Sequence, residues 1–257
     1  MNGKVVIITG SAGIGAAAAR LATAAGANLL IATNDEVSGF ELAAELHAEC
    51  WAGDLSRRDS PSSILAQCLS KFGRVDALFN VAGLSGRRFG DGPIHEIDDA
   101  GWETTIARNL TITYRMCRAV VGRMLQQEFA EGATGAIVNM GSVLVQSPEP
   151  RHFMTHAYAA AKGAVEAMSL SMAAYYASHG IRVNVIAPGM ARTPAAERTE
   201  AAEGLAAFLR KKQPLTGGMI DVKDIAHAAV FLLGDDARAI TGQVLAVDAG
   251  WTITGAE

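Results

Sequence analysis

The sequence predicts an α/β fold built on a doubly wound, parallel, seven-stranded sheet with helices on both faces. Short apolar segments alternate along the chain with longer alanine-rich segments of helical character, which is the pattern of βαβ units. The first short segment, Val5–Ile8, is apolar at every position, as expected of a strand that is buried on both faces. No linker, internal repeat or change in composition divides the 257 residues, so we expect a single domain over residues 1–257.

The elements follow in chain order. Seven strands are predicted, at Lys4–Thr9, Asn28–Thr33, Glu49–Gly53, Ala77–Ala82, Gly135–Met140, Arg182–Ala187 and Gln243–Val247. Helices are predicted between them, over residues 14–25, 37–48, 61–72, 98–129, 156–179 and 223–234. These helices supply the long crossovers that parallel strands require. Polar or glycine-rich segments follow most of the strands, so we expect the ligand at the C-terminal edge of the sheet.

Composition narrows the class of protein. Half of the residues are hydrophobic and 19% are charged, enough for a full buried core. The net charge of −4 and the scattered basic residues argue against nucleic-acid binding. Cys50, Cys68 and Cys117 have no C-x-x-C spacing, so we expect neither a disulfide framework nor a metal site. No secretory signal pattern and no apolar segment of roughly 20 residues is present, so we expect a soluble, cytoplasmic protein without membrane partners.

Tyr158 and Lys162 form an i, i+4 pair in a predicted helix that follows Ser142. Side chains at that spacing lie on one helix face. An ammonium beside a phenol favours the phenolate, which predicts a lowered pKa for Tyr158. Such a tyrosine can exchange a proton with an alcohol oxygen, and the Ser142 hydroxyl is placed to hold that oxygen. A solvent-exposed tyrosine–lysine pair has the same spacing, so the surrounding motifs must decide.

A glycine-rich turn follows the first strand, in the segment Thr9-Gly10-Ser11-Ala12-Gly13-Ile14-Gly15. Glycines allow the backbone to approach a pyrophosphate, and the N-terminus of the next helix offers unpaired N–H groups. The position after the first strand of a βαβ unit therefore predicts dinucleotide binding. A tight turn also needs glycine for conformational reasons alone.

Together these motifs resemble the short-chain dehydrogenase/reductase family in its single-domain, Rossmann-like form. The resemblance covers essentially the whole chain and depends on the glycine turn, Asp54-Leu55, Asn80-Val81-Ala82-Gly83, Asn109-Leu110, Ser142, Tyr158 with Lys162, and Pro188-Gly189 with Thr193. It implies NAD(P)-dependent hydride transfer between nicotinamide and a secondary alcohol or ketone. The alternative is a catalytically weak dinucleotide-binding sensor or scaffold of the same fold.

The resemblance also assigns the site residues. Tyr158 becomes the general acid and base, Lys162 lowers its pKa and binds the nicotinamide ribose, Ser142 holds the substrate oxygen, and Asn109 holds a water that links Lys162 to solvent. For Asn109 the alternative is a polar residue retained by backbone contacts. Cofactor contacts are implied, besides Tyr158 and Lys162, for Gly10, Ser11, Gly13, Ile14, Gly15, Thr33, Asp54, Leu55, Asn80, Ala82, Gly83, Pro188, Gly189 and Thr193. Asp54 has a second interpretation as a helix N-cap.

Two features bear on the cofactor. The family usually has three residues between the first two glycines of the loop, whereas this chain has only Ser11 and Ala12. Thr33 occupies the position where an acidic residue usually binds the ribose 2′-hydroxyl. Asp35 and Glu36 follow it and would repel a 2′-phosphate. NAD is therefore favoured and NADP is not excluded, and arginine at position 33 is expected to improve NADP use.

The remaining expectations concern the periphery of the site. Residues 190–215 are predicted to form a substrate lid of two short helices, and the Arg87–Phe89 segment is a second possible rim. His152 and His156 are candidates for contact with a polar substrate or, alternatively, surface histidines. The broad apolar faces of helices 98–129 and 156–179 favour a homo-oligomer, a dimer or a tetramer, although helix-to-sheet packing explains those faces equally well. The expected ligand is a small alcohol or ketone.

Overall fold

The seven predicted strands form one parallel sheet in the computed structural model, which describes residues 1–129, 133–193, 196 and 204–255. The strands are β1 Val5–Thr9, β2 Asn28–Thr33, β3 Glu49–Ala52, β4 Ala77–Asn80, β5 Gly135–Met140, β6 Ile181–Pro188 and β7 Val244–Val247. Their order is β3-β2-β1-β4-β5-β6-β7, and every neighbouring pair is parallel. The predicted fold class is thus confirmed. The direction of winding reverses between β1 and β4, where an α/β sheet opens a crevice for a ligand.

Eight α-helices connect or flank the strands in the described part of the chain. They are α1 Gly13–Ala24, α2 Glu36–Leu46, α3 Ser60–Phe72, α4 Asp99–Ile106, α5 Ile112–Met124, α6 His156–Tyr176, α7 Leu205–Lys212 and α8 Val222–Leu233. Where one helix was predicted over 98–129, a π-helical turn at Ala107–Thr111 separates α4 from α5. That prediction was wrong in this detail because periodicity does not reveal a single wide turn.

Two hydrophobic layers hold the helices to the sheet. Alternate strand residues such as Val6 and Ile8 pack with α1, α2 and α8, whereas Val5 and Ile7 pack with α3, α5 and α6. This alternation follows from the two-residue period of a strand. The sheet is therefore covered on both faces, and its C-terminal edge is where the loops that carry the predicted site residues meet.

A smaller apolar cluster closes one side of that edge. The Trp251 ring is buried, packs with Val143, Leu205 and Leu209, and donates its Nε1–H to the Ser147 carbonyl at 3.1 Å. Of the predicted lid, residues 194–195 and 197–203 lie outside the described residues, and α7 supplies the part that packs on Trp251. The cluster thus forms a fixed apolar wall beside the candidate site.

Among the helices within 1–129, 133–193 and 204–255, none combines the length and apolar character needed to cross a bilayer.

Candidate active site

Two cavities open at the C-terminal edge of the sheet, and together they contain most of the predicted site residues. The first, of about 310 Å³, is lined by the glycine loop, the end of β2, Asp54-Leu55 and residues 81–84. The second, of about 290 Å³, is lined by Ile14, Ser142, Tyr158, Gly189 and Thr193 among others. Ile14, from the glycine loop, faces the second cavity, so one loop reaches both cavities.

The glycine loop forms a tight turn although it is one residue shorter than the usual loop of the family that the sequence resembles. Gly10 and Gly13 have φ values of +114° and +52°, in the region where L side chains are strained. A Cβ on Gly15 would collide with the Gly10 carbonyl oxygen. The first turn of α1 follows Ala12 without a side-chain cap. Such an uncapped N-terminus with a positive dipole end fits a pyrophosphate, so the residues present suit a dinucleotide.

A cluster of hydroxyls joins this loop to the end of β2. The Ser11 hydroxyl lies 2.8 Å from the Thr33 hydroxyl and 2.7 Å from that of Ser38. The Thr33 oxygen also accepts the Asp35 N–H at 3.1 Å. Thr33 is only 2% exposed, so its short side chain belongs to this cluster although it borders the first cavity. An arginine there would be too large for the site, which weighs against the expected gain in NADP use.

Charged groups on the wall of the first cavity differ from what the sequence indicated. The carboxylates of Asp35 and Asp54 line it, as expected, but the π-helical turn also brings Arg108 to its wall. Arg108 favours the ionised form of Asp54. Sequence reasoning missed Arg108 because a cation next to the predicted Asn109 has no distinguishing pattern.

Asp54 is not a helix N-cap. Its carboxylate accepts the N–H and hydroxyl of Ser56 at 2.8 and 2.6 Å, whereas α3 starts after Asp59. The hydrogen bonds from Ser56 hold the pKa of the Asp54 carboxyl below its usual range. The N-cap interpretation was therefore wrong, and a fixed carboxylate remains at the cavity wall.

Asn80 does not line either cavity. Its amide donates to Asn139 Oδ1 at 2.8 Å and contacts the Cys117 sulfur, and Asn139 in turn donates to Ser169 at 2.9 Å. This buried network ties β4, β5, α5 and α6 together beneath the site. The predicted cofactor contact of Asn80 is not found in the cavity walls, while Ala82 and Gly83 do line the first cavity.

Tyr158 and Ser142 both line the second cavity. Ser142 follows β5, and Tyr158 lies in the first turn of α6. Burial raises the pKa of the Tyr158 hydroxyl, and a hydrogen bond from Ser142 opposes that shift. The predicted lowering of this pKa by Lys162 was therefore wrong. The reason is that burial is the largest influence on this pKa, while the Lys162 ammonium donates to the Met140 carbonyl oxygen, with Nζ 5.6 Å from the centre of the Tyr158 ring.

Lys162 is 2% exposed and donates from Nζ to the Met140 carbonyl oxygen at 2.8 Å. Burial lowers the pKa of its ammonium to about 8, and the nearby Glu166 carboxylate opposes the shift. A Cβ on Gly83 would come within 3.3 Å of Lys162 Nζ and 2.7 Å of Asn109 Oδ1. Only glycine at position 83 leaves the approach to these two groups open.

Asn109 is fully buried on the π-helical turn. Its amide donates to the carbonyl oxygens of Leu84 and Thr105, both at 2.9 Å, and its oxygen accepts the Leu84 N–H at 3.1 Å. Asn109 is therefore held by backbone contacts, as the alternative interpretation of this residue predicted. The same contacts fix the segment after Gly83. The predicted link through water to Lys162 stays a prediction.

Gln213, which the sequence did not single out, holds the segment after β6. It is fully buried, accepts the Met190 N–H at 2.6 Å and donates to the carbonyls of Met190 and Gly218. A Cβ on Gly189 would lie 2.5 Å from its oxygen. Gln213 thus shapes the wall that Pro188, Gly189 and Thr193 give to the second cavity.

The two candidate histidines do not line the second cavity. Part of the wall of that cavity consists of apolar side chains. The His152 ring packs 5.0 Å from that of Phe208, and His156 is the exposed first residue of α6. Of the second possible rim, Arg87 lines the cavity.

Asp91 is a further residue that sequence reasoning missed. Its buried carboxylate accepts the N–H groups of Ala157 and Tyr158, both at 2.9 Å, and so caps α6 from a distant loop. The N-cap residue itself, Thr155, makes no side-chain cap. No local pattern signals a contact across this separation in sequence.

Replacing Asp91 with alanine should therefore lower both the stability and the activity. The loss of two hydrogen bonds to a carboxylate at a helix N-terminus costs about 2 kcal/mol. Without them the first turn of α6 frays, and Tyr158 is no longer held in position. The matched control is Asp221→Ala, which removes the N-cap of α8 at a residue that lines neither cavity. We expect similar loss of unfolding free energy in both variants but a lower kcat only in Asp91→Ala. Equal kcat values would refute the positional role.

A family model described as enoyl-(acyl carrier protein) reductase, one of the short-chain dehydrogenase/reductase family, matches residues 8–252. The chain is similar to cis-4-hydroxycyclohexanecarboxylate dehydrogenase of Sinomonas cyclohexanicum, with 33% identity over 97% of this chain and 96% of that protein. It is similar to D-threitol dehydrogenase of Mycolicibacterium smegmatis, with 35% identity over 98% of this chain and 94% of that protein.

A solved structure has the same architecture. The 3-ketoacyl-(acyl-carrier-protein) reductase from Brucella melitensis complexed with NADH superposes with a TM-score of 0.87 at 27% identity, covering 98% of this chain and 99% of that chain.

Proposed function

The chain belongs to the short-chain dehydrogenase/reductase family, and from that premise we propose that Tyr158 is the general acid and base of its reaction. The protein is an NAD(P)-dependent oxidoreductase that acts on alcohol and carbonyl groups of small molecules. We infer reversible hydride transfer between nicotinamide and a secondary alcohol or ketone. The observation that carries the proposal is that Ser142 and Tyr158 line the same cavity as Gly189 and Thr193 from the cofactor segments.

Each residue of the set has a chemical task in this proposal. Tyr158 takes the hydroxyl proton of the substrate in oxidation and returns it in reduction. Ser142 donates a hydrogen bond to the substrate oxygen, and its hydroxyl also stabilises the phenolate that oxidation requires. The Met140 carbonyl takes one of the three N–H donors of Lys162, and we propose that another binds the nicotinamide ribose. When bound, NAD(P) supplies the hydride acceptor or donor.

The binding of the dinucleotide is assigned to the two cavities. The glycine loop and the N-terminus of α1 hold the pyrophosphate, Asp54 and Leu55 hold the adenine end, and Pro188, Gly189 and Thr193 hold the nicotinamide end. The closed geometry of the loop and the uncapped α1 support this assignment. The alternative function, a sensor or scaffold with weak catalysis, is favoured only by the shortened loop.

We propose NAD rather than NADP because the Asp35 carboxylate borders the ribose end of the first cavity. Asp35→Ser should raise the ratio of kcat/KM for NADP to that for NAD about tenfold, since it removes a charge that repels a 2′-phosphate. Serine retains the N-cap that Asp35 gives to Ser38 in α2. The control is Glu36→Gln, an adjacent exposed carboxylate that does not line the cavity. An equal change in both variants would show a general effect of charge and contradict the assignment.

We also propose a homo-oligomer, either a dimer or a tetramer. Large apolar side chains remain exposed on α5 and α6, and they include Tyr114, Leu170 and Tyr175, with exposed fractions of 44%, 59% and 68%. Large exposed apolar side chains of this kind favour association with another subunit.

The reaction itself is tested by following NADH formation when the protein is mixed with NAD and a secondary alcohol. Cyclohexanol, D-threitol and cis-4-hydroxycyclohexanecarboxylate are suitable alcohols, because relatives act on the last two according to their names. Formation of NADH and the matching ketone supports the proposal. Tight binding of NADH without turnover of any of the three would favour the sensor or scaffold.

A further inference from the structure

Arg87 supplies the one formal charge on the described wall of the second cavity. The rest of that wall consists of the hydroxyls of Ser85, Ser142, Thr155, Tyr158 and Thr193 together with glycine, proline and apolar side chains. Arg87 is solvent-exposed, and as the single cation of an otherwise neutral, largely apolar wall it attracts an anion that its paired N–H donors can bind. We propose that Arg87 binds an anionic group of the substrate, a carboxylate, so that the preferred substrates are hydroxy acids or keto acids. This inference rests on the proposed hydride transfer at Tyr158.

The segment that carries Arg87 is held rigidly. Gly86, which precedes it, packs so closely on Thr105 and Asp91 that a Cβ at this position would collide with both. Asp91, at the other end of the same turn, accepts two N–H groups from the start of α6. The turn that carries the cation is therefore fixed to the helix that carries Tyr158, which sets the distance between an anion-binding group and the reacting oxygen.

The guanidinium is oriented but not neutralised. Arg87 donates one N–H to the His152 carbonyl oxygen, and its guanidinium carbon lies 5.9 Å from the centre of the Phe153 ring. A guanidinium has five N–H donors, so one hydrogen bond to a carbonyl leaves capacity for a bidentate carboxylate. Within the described residues, no carboxylate lies within 4.0 Å of Arg87.

The carboxylate of the neighbouring loop is already engaged. Glu149 is buried and accepts the N–H groups of Arg151 and His152. These bonds hold the His152 carbonyl that orients Arg87. Each oxygen of Glu149 accepts one of these N–H groups, and within the described residues no ion pair of 4.0 Å or less joins Glu149 to Arg87.

The apolar part of the wall indicates what joins the two polar ends of the substrate. Phe153 packs against Trp251 with ring centres 5.6 Å apart, and Leu144 and Met190 line the same space. Such a surface suits a ring or a short hydrocarbon chain, with the hydroxyl at Tyr158 and the carboxylate at Arg87. A polyol with hydroxyls along its length would leave buried polar groups unpaired here.

The test compares an acid with its neutral isostere. We would measure kcat/KM for cis-4-hydroxycyclohexanecarboxylate and for cis-4-hydroxycyclohexanecarboxamide in the wild type, Arg87→Met, Arg87→Lys and Arg88→Met. The wild type should prefer the acid, and Arg87→Met should lower the acid-to-amide ratio at least about tenfold, mainly through KM. Arg87→Lys should recover part of that loss because the charge remains. Arg88, whose guanidinium lies over the Phe89 ring and which does not line the cavity, is the matched control and should leave the ratio as in the wild type.

Several outcomes would overturn the inference. They are a wild-type ratio near one, an equal loss for acid and amide in Arg87→Met with NADH binding retained, or the same loss in Arg88→Met. If neither compound is turned over, we would measure the binding of cyclohexanecarboxylate to the NADH-bound protein. Binding that Arg87→Met abolishes supports the anion site and faults the proposed reaction, whereas absence of binding overturns the anion site.

Discussion

Phenylalanine in place of Tyr158 should lower kcat by about 10²–10⁴-fold while the protein still binds NADH. The Tyr158 hydroxyl lies in the second cavity with Ser142, where we propose that it exchanges a proton with the substrate oxygen. The ring contributes packing at the start of α6, and phenylalanine preserves that packing. The measurements are steady-state turnover and titration with NADH followed by nicotinamide fluorescence.

The control for this variant is Tyr175→Phe, which removes an exposed hydroxyl from the far end of the same helix. It should leave kcat within about twofold of the wild type. Turnover by Tyr158→Phe close to that of the wild type would remove Tyr158 from its role as acid and base.

Methionine in place of Lys162 should have opposite effects on activity and stability. A shift of the ammonium pKa from 10.5 to about 8 corresponds to about 3 kcal/mol of cost for keeping the charge buried at neutral pH. Methionine removes that cost but leaves the Met140 carbonyl without its donor, which costs about 1 kcal/mol. We expect the free energy of unfolding to rise by about 1–2 kcal/mol and kcat to fall by about 10²-fold or more.

The pH dependence of stability tests the same residue. Between pH 8 and 10.5 the unfolded chain still holds the Lys162 proton, whereas the folded protein has released it. Stability rises with pH wherever the unfolded state binds more protons. The free energy of unfolding of the wild type should therefore rise with pH across this range. The excess stability of Lys162→Met over the wild type should accordingly become smaller at high pH. A constant difference from pH 7 to 10.5 would show that burial does not disfavour the ammonium.

The sheet was predictable because buried parallel strands leave a strong local signal. Segments such as Val5–Ile8 and residues 29–32 are apolar throughout, and each ends where a polar or glycine-rich turn begins. Those turns come together at one edge because all neighbouring strands are parallel. The placement of Ser142, Tyr158 and the glycine loop at that edge follows from the same rule.

Side-chain direction was not predictable in the same way. Thr33 and Asn80 both end strands that border the site, yet one joins a hydroxyl cluster and the other a buried amide network. Whether such a residue faces a ligand depends on partners that are distant in sequence. Asp91 illustrates the same limit, because its partners lie 66 and 67 residues away. Arg108 reaches the first cavity through a π-helical turn, which periodicity does not reveal.

The pKa of Tyr158 was mistaken for a related reason. The i, i+4 spacing places Lys162 on the same helix face, but its ammonium donates to the Met140 carbonyl oxygen and lies 5.6 Å from the centre of the Tyr158 ring. Burial then governs the phenol, and its pKa rises instead of falling. The spacing of the two residues identified the pair, but the direction of the Tyr158 pKa shift could be obtained only from the structure.

The most direct test of the central claim is a single-turnover measurement in which NADH-bound protein is mixed with 4-oxocyclohexanecarboxylate and the loss of NADH is followed. We expect NADH to disappear in step with the formation of the hydroxy acid, and Tyr158→Phe to bind NADH but slow this step by about 10²-fold or more. Binding of NADH without its oxidation by the wild type would refute the proposed hydride transfer, and equal rates in the wild type and Tyr158→Phe would refute the role of Tyr158 as general acid and base.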